Sequence, residues 1–539
     1  MSQAVRTRIG GHVVVESLEA LGADTVFGLP GIHALAIWDG LRESRLRYLG
    51  FRTELNAGFA ADGYARASGR PAPLLLSTGP GALNSLTALM EASSAHVPVV
   101  AIASQIPRDL IGRGRGYLHE LADQHASFAP LVKWTGRAEA AAEVPELLAE
   151  AWRQALTPPS GPVFLEIPVD VLTGETEMEH VDELDGNAVT RSVPEVEEAA
   201  RVIAAATRPV LWAGGGVSRA GAWPELAALS DRLRAPVATS YMGKGTFPED
   251  HPLAAGSAAD EAAFKELVEE ADVLICVGTE LGAETTGQFS LQPRGRIVQI
   301  DAAAERIGGT YPALGLVGDA KALLGALLEQ LPAREADGQA ERAAAEVRDR
   351  IARGLDQQGR ELERGVLETI RESLPRDAVH AWDMTNLAYW AGAHFPALSP
   401  RRFLYPLGSG TLGYAWPAAL GAKAALPDVP VLAIAGDGGF LYNVAELASA
   451  RQNRLGAKLL LVDDGGYGIL REYQRDSFGE TFAVDLVQPD FVALAEAFGV
   501  PVRGATPDTL KADLAWALAE EGPAVVVLRA TLEMWTPTA

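Results

Sequence analysis

The stretch that decides the fold is residues 431–439, VLAIAGDGG, together with residues 458–468, KLLLVDDGGYG. Each is a short apolar run that ends in glycine and aspartate, and apolar runs of this length favour buried strands over helices. The stretch 439–462 between the two signals has room for one crossover helix, which we predict from about Leu441 to Arg451. Two adjacent parallel strands then carry both polar ends to the same edge of one sheet.

The same unit of apolar strand, glycine-rich turn and helix recurs along the chain. Further short apolar runs lie at residues 25–27, 98–102, 209–212 and 524–528. This alternation is typical of parallel sheets with crossover helices, so we predict an α/β protein with doubly wound parallel-sheet domains.

Chain length and two polar stretches predict the domain boundaries. A chain of 539 residues is too long for one hydrophobic core and suits three domains. Residues 174–194 are acidic and weakly periodic, whereas residues 333–364 are dense in alternating charge and are predicted to form a connecting helix. The predicted domains are 1–180, 190–335 and 360–539.

Composition limits the class of partner and the compartment. A net charge of −24 and a pI of about 4.9 argue against nucleic-acid or anionic-membrane partners. The single cysteine, Cys276, lies in an apolar run, so we predict a buried strand residue and no disulfide within the chain. Neither a signal peptide nor a membrane span is apparent, and we expect a soluble cytoplasmic protein.

The glycine and aspartate residues at the predicted sheet edge suit a diphosphate with a metal ion. Ligands of open α/β sheets bind at this edge, and helix N-termini there favour anions. Mg²⁺ prefers oxygen ligands, which the carboxylates of Asp437 and Asp464 and the carbonyl of Gly466 can supply.

These residues resemble the thiamine diphosphate (ThDP) motif of the acetohydroxyacid synthase and 2-oxo acid decarboxylase superfamily. That family usually ends the motif with two asparagines, where this chain has Asp463 and Asp464; the change keeps an oxygen ligand and adds negative charge. The resemblance implies ThDP and Mg²⁺ as cofactors. It assigns to the cofactor site Gly436, Asp437, Gly438, Gly439, Asp464, Gly466, Tyr467, Gly468 and Ile469.

Three N-terminal segments, 26–31, 52–66 and 77–84, resemble the pyrimidine-binding domain of the same superfamily in order and spacing. Glu54 matches the glutamate that activates the cofactor, because a carboxyl group bound to the aminopyrimidine promotes loss of the thiazolium C2 proton. The resemblance also places at the cofactor Pro30, Gly31, Thr78 and Asn84.

A further segment, 403–419, resembles the family's other pyrimidine-contacting region. The match implies that the Gly410 carbonyl accepts from the cofactor's amino group and that Leu412 bends the cofactor. Thr385 and Asn386 align with a diphosphate-binding segment whose residues differ. In this family the activating glutamate faces the diphosphate domain of another subunit, so the resemblance implies a homodimer or homotetramer with the active site between subunits.

A few further positions of the same resemblance bear on the substrate-binding part of the site. His119 stands where the synthases commonly have glutamine, and it could move protons on the substrate. This region is closer to a branch resembling guanidino-oxopentanoate decarboxylase and carboxyethylarginine synthase. Gln105 matches a glutamine that lines the site in the synthases. Leu470 replaces a glutamate of simple decarboxylases, and Tyr473 replaces a tryptophan of the synthases.

Three classes of function remain open at this point. The first is a ThDP- and Mg²⁺-dependent enzyme that decarboxylates a 2-oxo acid and then ligates the product; a non-carboligating decarboxylase of the guanidino-oxopentanoate type is its alternative. The second is an NAD(P)-linked oxidoreductase, although residues 214–216 fit the glycine fingerprint poorly. The third is a non-catalytic relative, which predicts loss of Glu54 or Asp437, and both are present. FAD is not expected, because residues 278–283 lack the arginine-rich flavin segment.

Overall fold

A computed structural model describes residues 8–189 and 195–538. Residues 190–194, the end of the first predicted linker, lie outside the described residues, as do residues 1–7 and 539. Three six-stranded sheets form the described chain, and every pair of neighbouring strands in them is parallel. The predicted α/β class with three parallel sheets is therefore confirmed. None of the described helices combines the length and apolar character that a membrane crossing requires.

The first sheet has the strand order β2-β1-β3-β4-β6-β5, which puts a topological switch point between β1 and β3. Its strands are β1 (Thr25–Gly28), β2 (Arg47–Gly50), β3 (Ala72–Leu76), β4 (Val99–Gln105), β5 (Trp134–Arg137) and β6 (Val163–Pro168). Its helices are α1 (Gly10–Ala20), α2 (Leu35–Leu41), α3 (Glu54–Ser68), α4 (Pro80–Asn84), α5 (Leu86–Ser94), α6 (Gln124–Phe128), α7 (Val144–Leu156) and α8 (Val169–Thr173).

The second sheet has the order β12-β11-β10-β7-β8-β9. Its strands are β7 (Pro209–Ala213), β8 (Val237–Thr239), β9 (Ala254–Gly256), β10 (Val273–Val277), β11 (Arg296–Asp301) and β12 (Ala313–Val317). The helices of this region are α9 (Glu197–Ala204), α10 (Gly215–Ala220), α11 (Trp223–Leu233), α12 (Ala262–Glu269), α13 (Ala320–Gln330), α14 (Gln339–Asp356) and α15 (Glu361–Ser373).

Two predictions about this region are confirmed, the second in part. Cys276 is buried in β10 and is a free thiol. The charge-dense stretch 333–364 is helical over most of its length, although it divides into α14 and the start of α15 rather than one helix. The apolar residues Ala344, Val347 and Ile351 of α14 are buried, so one face of this helix packs while its charged face meets solvent.

The third sheet has the order β14-β13-β15-β16-β18-β17, with its switch point between β13 and β15. Its strands are β13 (Val379–Trp382), β14 (Phe403–Leu404), β15 (Val431–Gly436), β16 (Lys458–Asp463), β17 (Val502–Ala505) and β18 (Ala524–Arg529). The helices are α16 (Asn386–His394), α17 (Ala415–Ala425), α18 (Asp437–Phe440), α19 (Glu446–Gln452), α20 (Gly468–Phe478), α21 (Phe491–Ala497) and α22 (Leu510–Ala519).

The helix predicted between β15 and β16 needs correction. The two strands are adjacent and parallel as predicted, but the helical residues divide into the short α18 and a separate α19. The side-chain amide of Asn443, in the turn between them, donates to the Gly413 carbonyl at 2.6 Å. That tertiary contact holds the turn and explains why one continuous helix does not form.

The described chain divides into two compact units. The first contains the described residues up to Val189, together with Pro406–Asp428 and Asn443–Ala457; the remaining described residues form the second. The first unit therefore holds the first sheet with α17 and α19, and the second unit holds the other two sheets.

Within the first unit α3 and α17 cross at very short range. A Cβ atom at Gly421 would lie 1.8 Å from the Ala60 carbonyl oxygen, and one at Gly63 would lie 2.1 Å from the Ala418 carbonyl oxygen. Only glycine permits backbones to approach this closely, so these two positions fix the crossing.

Candidate functional site

Asp437 directly follows β15 and is only 1% exposed. Its Oδ1 accepts the Gly438 N–H at 2.7 Å; its Oδ2 accepts the Gly465 N–H at 2.8 Å and the Gln488 side-chain amide at 2.7 Å. Burial, reinforced by the charge of Asp464, raises the pKa of Asp437 to about 6.

Asp464 follows β16 at the same edge of the sheet. Its Oδ1 accepts the Gly466 N–H at 3.2 Å, and a Cβ atom at residue 468 would lie 2.1 Å from its Oδ2. Gly468 is therefore required for the carboxylate to lie where it does. Burial raises the pKa of Asp464 as well.

These two carboxylates fit a hard divalent cation. Burial disfavours the ionised form of both carboxylates, and the charge of Asp464 disfavours it further at Asp437. A bound cation would offset this cost. Within the described residues no cluster of three or more His, Cys, Asp or Glu side chains suits a metal. The donor set predicted from the sequence has only two carboxylates and takes its third oxygen from the Gly466 backbone.

The switch point of the third sheet brings residues after β13 beside the glycines after β15. A Cβ atom at Gly436 would lie 3.0 Å from Thr385 Oγ1, and one at Gly439 would lie 2.9 Å from an oxygen of Asp383. Thr385 is thus adjacent to the predicted diphosphate segment. The side-chain amide of Asn386 instead donates to Glu472 and to the Leu532 carbonyl, so its amino group is already engaged.

The remaining residues of this predicted set line the start of α20. The Tyr467 ring lies against Gly438, where a Cβ atom would be 2.7 Å from Tyr467 Cε1. The Tyr467 N–H donates to the Val484 carbonyl at 2.9 Å. Ile469 is half-buried in the first turn of α20.

In the first unit, Glu54 is the first residue of α3, whose N-cap is Thr53. The Asn84 side chain donates to Glu54 Oε2 at 3.2 Å, and a Cβ atom at Gly81 would lie 3.0 Å from Glu54 Oε1. Two residues that the sequence assigned to the cofactor, Glu54 and Asn84, therefore lie together at the carboxyl edge of the first sheet.

Other predicted residues lie at the same edge of the first sheet. A Cβ atom at Gly31, which follows Pro30, would lie 2.2 Å from Ser77 Oγ, so the two chain segments after β1 and β3 touch. Thr78 is buried, and its hydroxyl is 2.9 Å from Ser104 Oγ.

His119 is partly exposed, whereas Gln105 is buried and engaged in hydrogen bonds within the protein. His119 has a φ of +67°, and a Cβ atom at Gly79 would lie 2.5 Å from its carbonyl oxygen. Gln105 is buried; its amide donates to Glu166 at 3.0 Å and its oxygen accepts the Ile106 N–H at 2.8 Å. The structure therefore engages both ends of the Gln105 side chain within the protein.

The loop with Gly410 and Leu412 is anchored by Glu91, which the sequence reasoning missed. Gly410 is exposed with a φ of +69°, and Leu412 is half-buried. The buried Glu91 accepts the N–H groups of Gly408 and Ser409, at 3.2 and 2.7 Å. Glu91 is the one charged residue of α5, and that was the available signal. Gln488, which binds Asp437, gave no signal, since it lies far along the chain in a loop that matches no motif.

Comparison with known proteins follows the same three-part division. The chain matches the N-terminal TPP binding domain of thiamine pyrophosphate enzymes over residues 8–127, their central domain over residues 196–327, and their C-terminal TPP binding domain over residues 383–528. Thiamine pyrophosphate (TPP) is a synonym of thiamine diphosphate.

Relatives that match over at least nine-tenths of both chains carry two kinds of name. A probable 2-ketoarginine decarboxylase of Pseudomonas aeruginosa is 38% identical, with 98% of this chain and 95% of the relative covered. A probable acetolactate synthase large subunit of Methanocaldococcus jannaschii is 34% identical, with 95% and 90% covered. The acetolactate synthase isozyme 2 large subunit of Escherichia coli is 32% identical, with 95% and 94% covered.

The chain belongs to the thiamine pyrophosphate enzyme family, as the predicted resemblance stated. It is a ThDP-dependent enzyme, and its two TPP-binding domains carry the two residue groups described above. Of the three classes of function left open by the sequence, these findings support ThDP-dependent conversion of a 2-oxo acid, which is the common part of the first class and its alternative.

Proposed function

We propose that this enzyme uses ThDP and Mg²⁺ to decarboxylate a 2-oxo acid and then joins the product to a second carbonyl compound. The observation that carries the proposal is the pair of Asp437 and Asp464 at the ends of adjacent strands, with raised pKa values. The relatives named acetolactate synthase support the ligation step.

The predicted metal ligands and the activating glutamate have defined tasks in this proposal. Asp437, Asp464 and the Gly466 carbonyl would hold Mg²⁺, which in turn binds the diphosphate. ThDP, when bound, supplies an electron sink at its thiazolium carbon. Glu54 would hold a proton at the aminopyrimidine, and the Asn84 amide orients the Glu54 carboxylate by the hydrogen bond described above. No flavin is part of the proposal, since residues 278–283 carry no arginine.

Leu470 favours ligation over release of an aldehyde. It lies in the first turn of α20 and is 45% exposed, so its apolar side chain offers no proton to a reacting group beside this helix. An intermediate that is not protonated survives long enough to attack a second carbonyl.

Exchanging Leu470 tests this partition. Leu470→Glu should shift the products of one accepted 2-oxo acid toward aldehyde, by about tenfold or more in the aldehyde-to-hydroxyketone ratio. The glutamine of Leu470→Gln has nearly the size of glutamate but no ionisable group, so this variant should change the ratio much less. Equal ratios in the wild type and both variants would show that position 470 does not control the outcome.

A second candidate function is favoured by a group of four tyrosines in the second unit. Burial raises the pKa of Tyr389 to about 12, with Tyr473 and Glu284 adding to the shift; Glu284 acts in the same direction on Tyr241 and Tyr405. The rings of Tyr241 and Tyr405 are 6.4 Å apart. Aromatic faces beside a carboxylate suit a cation. A relative is named 2-ketoarginine decarboxylase, so this candidate is simple decarboxylation of a 2-oxo acid with a guanidinium group.

A substrate panel separates the two candidates. Neutral, acidic and guanidinium-bearing 2-oxo acids are assayed with ThDP and Mg²⁺, and CO₂, aldehyde and hydroxyketone are measured. The second candidate requires the guanidinium compound to be preferred, and Glu284→Gln to raise its KM about tenfold with little change for pyruvate. A wild-type preference for neutral acids would remove this candidate and leave the first.

A further inference from the structure

Two histidines of the first unit lie against each other with unsatisfied nitrogens. His33, in the turn Ile32–Ala34 after Gly31, is 6% exposed. Among the described residues, neither its Nδ1 nor the Nδ1 of His119 has a hydrogen-bond partner, although both atoms are buried. The ring centroids are 5.2 Å apart and the planes meet at 73°. Tyr117 stacks on the His33 ring with centroids 5.7 Å apart.

A buried nitrogen without a partner costs free energy, and folded proteins hold few such atoms. Two such nitrogens on rings in edge-to-face contact are explained if the rings form a hydrogen bond with each other in a second state. With the ring centroids 5.2 Å apart, turning both rings about their Cβ–Cγ bonds can point one nitrogen of each toward the other, at a separation that allows an N–H···N hydrogen bond. The edge-to-face arrangement in the structure would then correspond to the state in which neither Nδ1 has a proton to share.

We propose that His33 is a positioning residue that acts through His119, by accepting a hydrogen bond from Nδ1–H of His119 whenever His119 is protonated. The purpose of this contact rests on the proposed function and on the sequence-based expectation that His119 moves protons on the substrate. With Nδ1–H bound to His33, the Nε2–H of His119 is held in one direction.

His33 is suited to accept because it remains uncharged near neutral pH. Burial, together with the charge that His119 can carry, lowers the pKa of His33. A neutral imidazole has one nitrogen lone pair free to accept. His119 is less buried than His33, and it is therefore the proposed donor of this hydrogen bond.

Charged groups on the surrounding elements are already engaged. On α2, Asp39 lies 3.0 Å from His12; on α8, Asp170 binds Arg108 at 2.7 Å. Glu120 accepts the backbone N–H groups before and after Gly116, at 3.2 and 3.0 Å. β4 contributes Gln105, which carries no charge, and the loop arginines 113 and 115 are exposed. The His33–His119 contact is thus the interaction that a substitution at His33 changes most directly.

The test is a histidine NMR titration of the full chain without cofactor. The His119 Cε1–H resonance is identified by its loss in His119→Gln. In His33→Phe, which keeps an aromatic ring and removes the acceptor, the titration midpoint of His119 should fall by about one pH unit. His33→Asn, whose side-chain oxygen lies near the former Nδ1, should restore most of the difference. His12→Gln, a control outside the pair, should leave the midpoint in place.

A midpoint that is unchanged or raised in His33→Phe overturns the proposal, and so do equal effects of the Phe and Asn variants. If His33→Phe does not fold, His33→Ala replaces it and must show the same fall. The titration needs neither ThDP nor substrate. If the midpoint shifts but the protein decarboxylates no 2-oxo acid, only the proposed function is refuted. If the enzyme is active but the midpoint does not shift, only the proposed role of His33 is refuted.

Discussion

Glu54 is held by one described hydrogen bond from Asn84, at the start of a helix that its carboxylate favours. We expect Glu54→Gln to retain ThDP, because the diphosphate and metal provide most of the affinity, and to slow exchange of the thiazolium C2 proton by about 10² or more. Quenched-flow NMR in D₂O measures that exchange. Asn84→Ala, the matched control, should slow it far less, and an unchanged rate in Glu54→Gln would refute the assignment.

Asp437 should make the metal-free protein less stable as the pH rises. Its pKa is raised from 3.8 in the unfolded chain to about 6, so ionisation costs folding free energy that is absent below about pH 4 and complete above about pH 6. A shift of this size corresponds to about 3 kcal/mol at most.

The comparison is the Tm of wild type and Asp437→Asn between pH 4.5 and 7.5, without ThDP or Mg²⁺. The Tm of the variant minus that of the wild type should increase as the pH rises. Adding ThDP and Mg²⁺ should then stabilise the wild type and not the variant. A difference in Tm that is constant with pH would mean that Asp437 ionises normally.

At the scale of elements, the crossing of α3 and α17 depends on glycine. Gly421→Ala would place a methyl group on the Ala60 carbonyl, so the helices must separate, and we expect a loss of about 2–4 kcal/mol, measured as a lower Tm. Gly325→Ala is the control, because this glycine of α13 has no atom within 4 Å of its would-be Cβ. That variant should be neutral or more stable by up to about 1 kcal/mol.

Elements with a strong local pattern were predictable, and those set by distant contacts were not. Apolar runs such as 458–462 became strands because burial on both faces of a parallel sheet leaves a continuous apolar sequence. The break between α18 and α19 was missed, since it depends on Asn443 reaching Gly413. Resemblance singled out Glu54 and Asp437 as candidate site residues, but nothing local shows that Glu166 engages Gln105 or that Gln488 binds Asp437.

For the whole molecule, the predicted active site between subunits can be tested by complementation. Glu54→Gln and Asp437→Ala should each be nearly inactive alone. If Glu54 of one subunit serves the cofactor held by Asp437 of another, mixed dimers contain one intact site, and co-expression should restore about a quarter of the wild-type activity. Sedimentation confirms the assembly of each sample. Mixtures as inactive as the parents would place both residues in one subunit's site.

The first unit combines chain segments that are far apart in sequence, so one part of it is synthesised well before the rest. Its sheet is complete in sequence by Pro168, yet α17 and α19, which belong to the same unit, emerge only after residues 415 and 446. At about 5–20 residues per second, the ribosome takes tens of seconds to supply them. During that interval the face of α3 around Ala60 and Gly63 has no partner, so nascent chains stalled before residue 415 should be bound by chaperones and sensitive to protease.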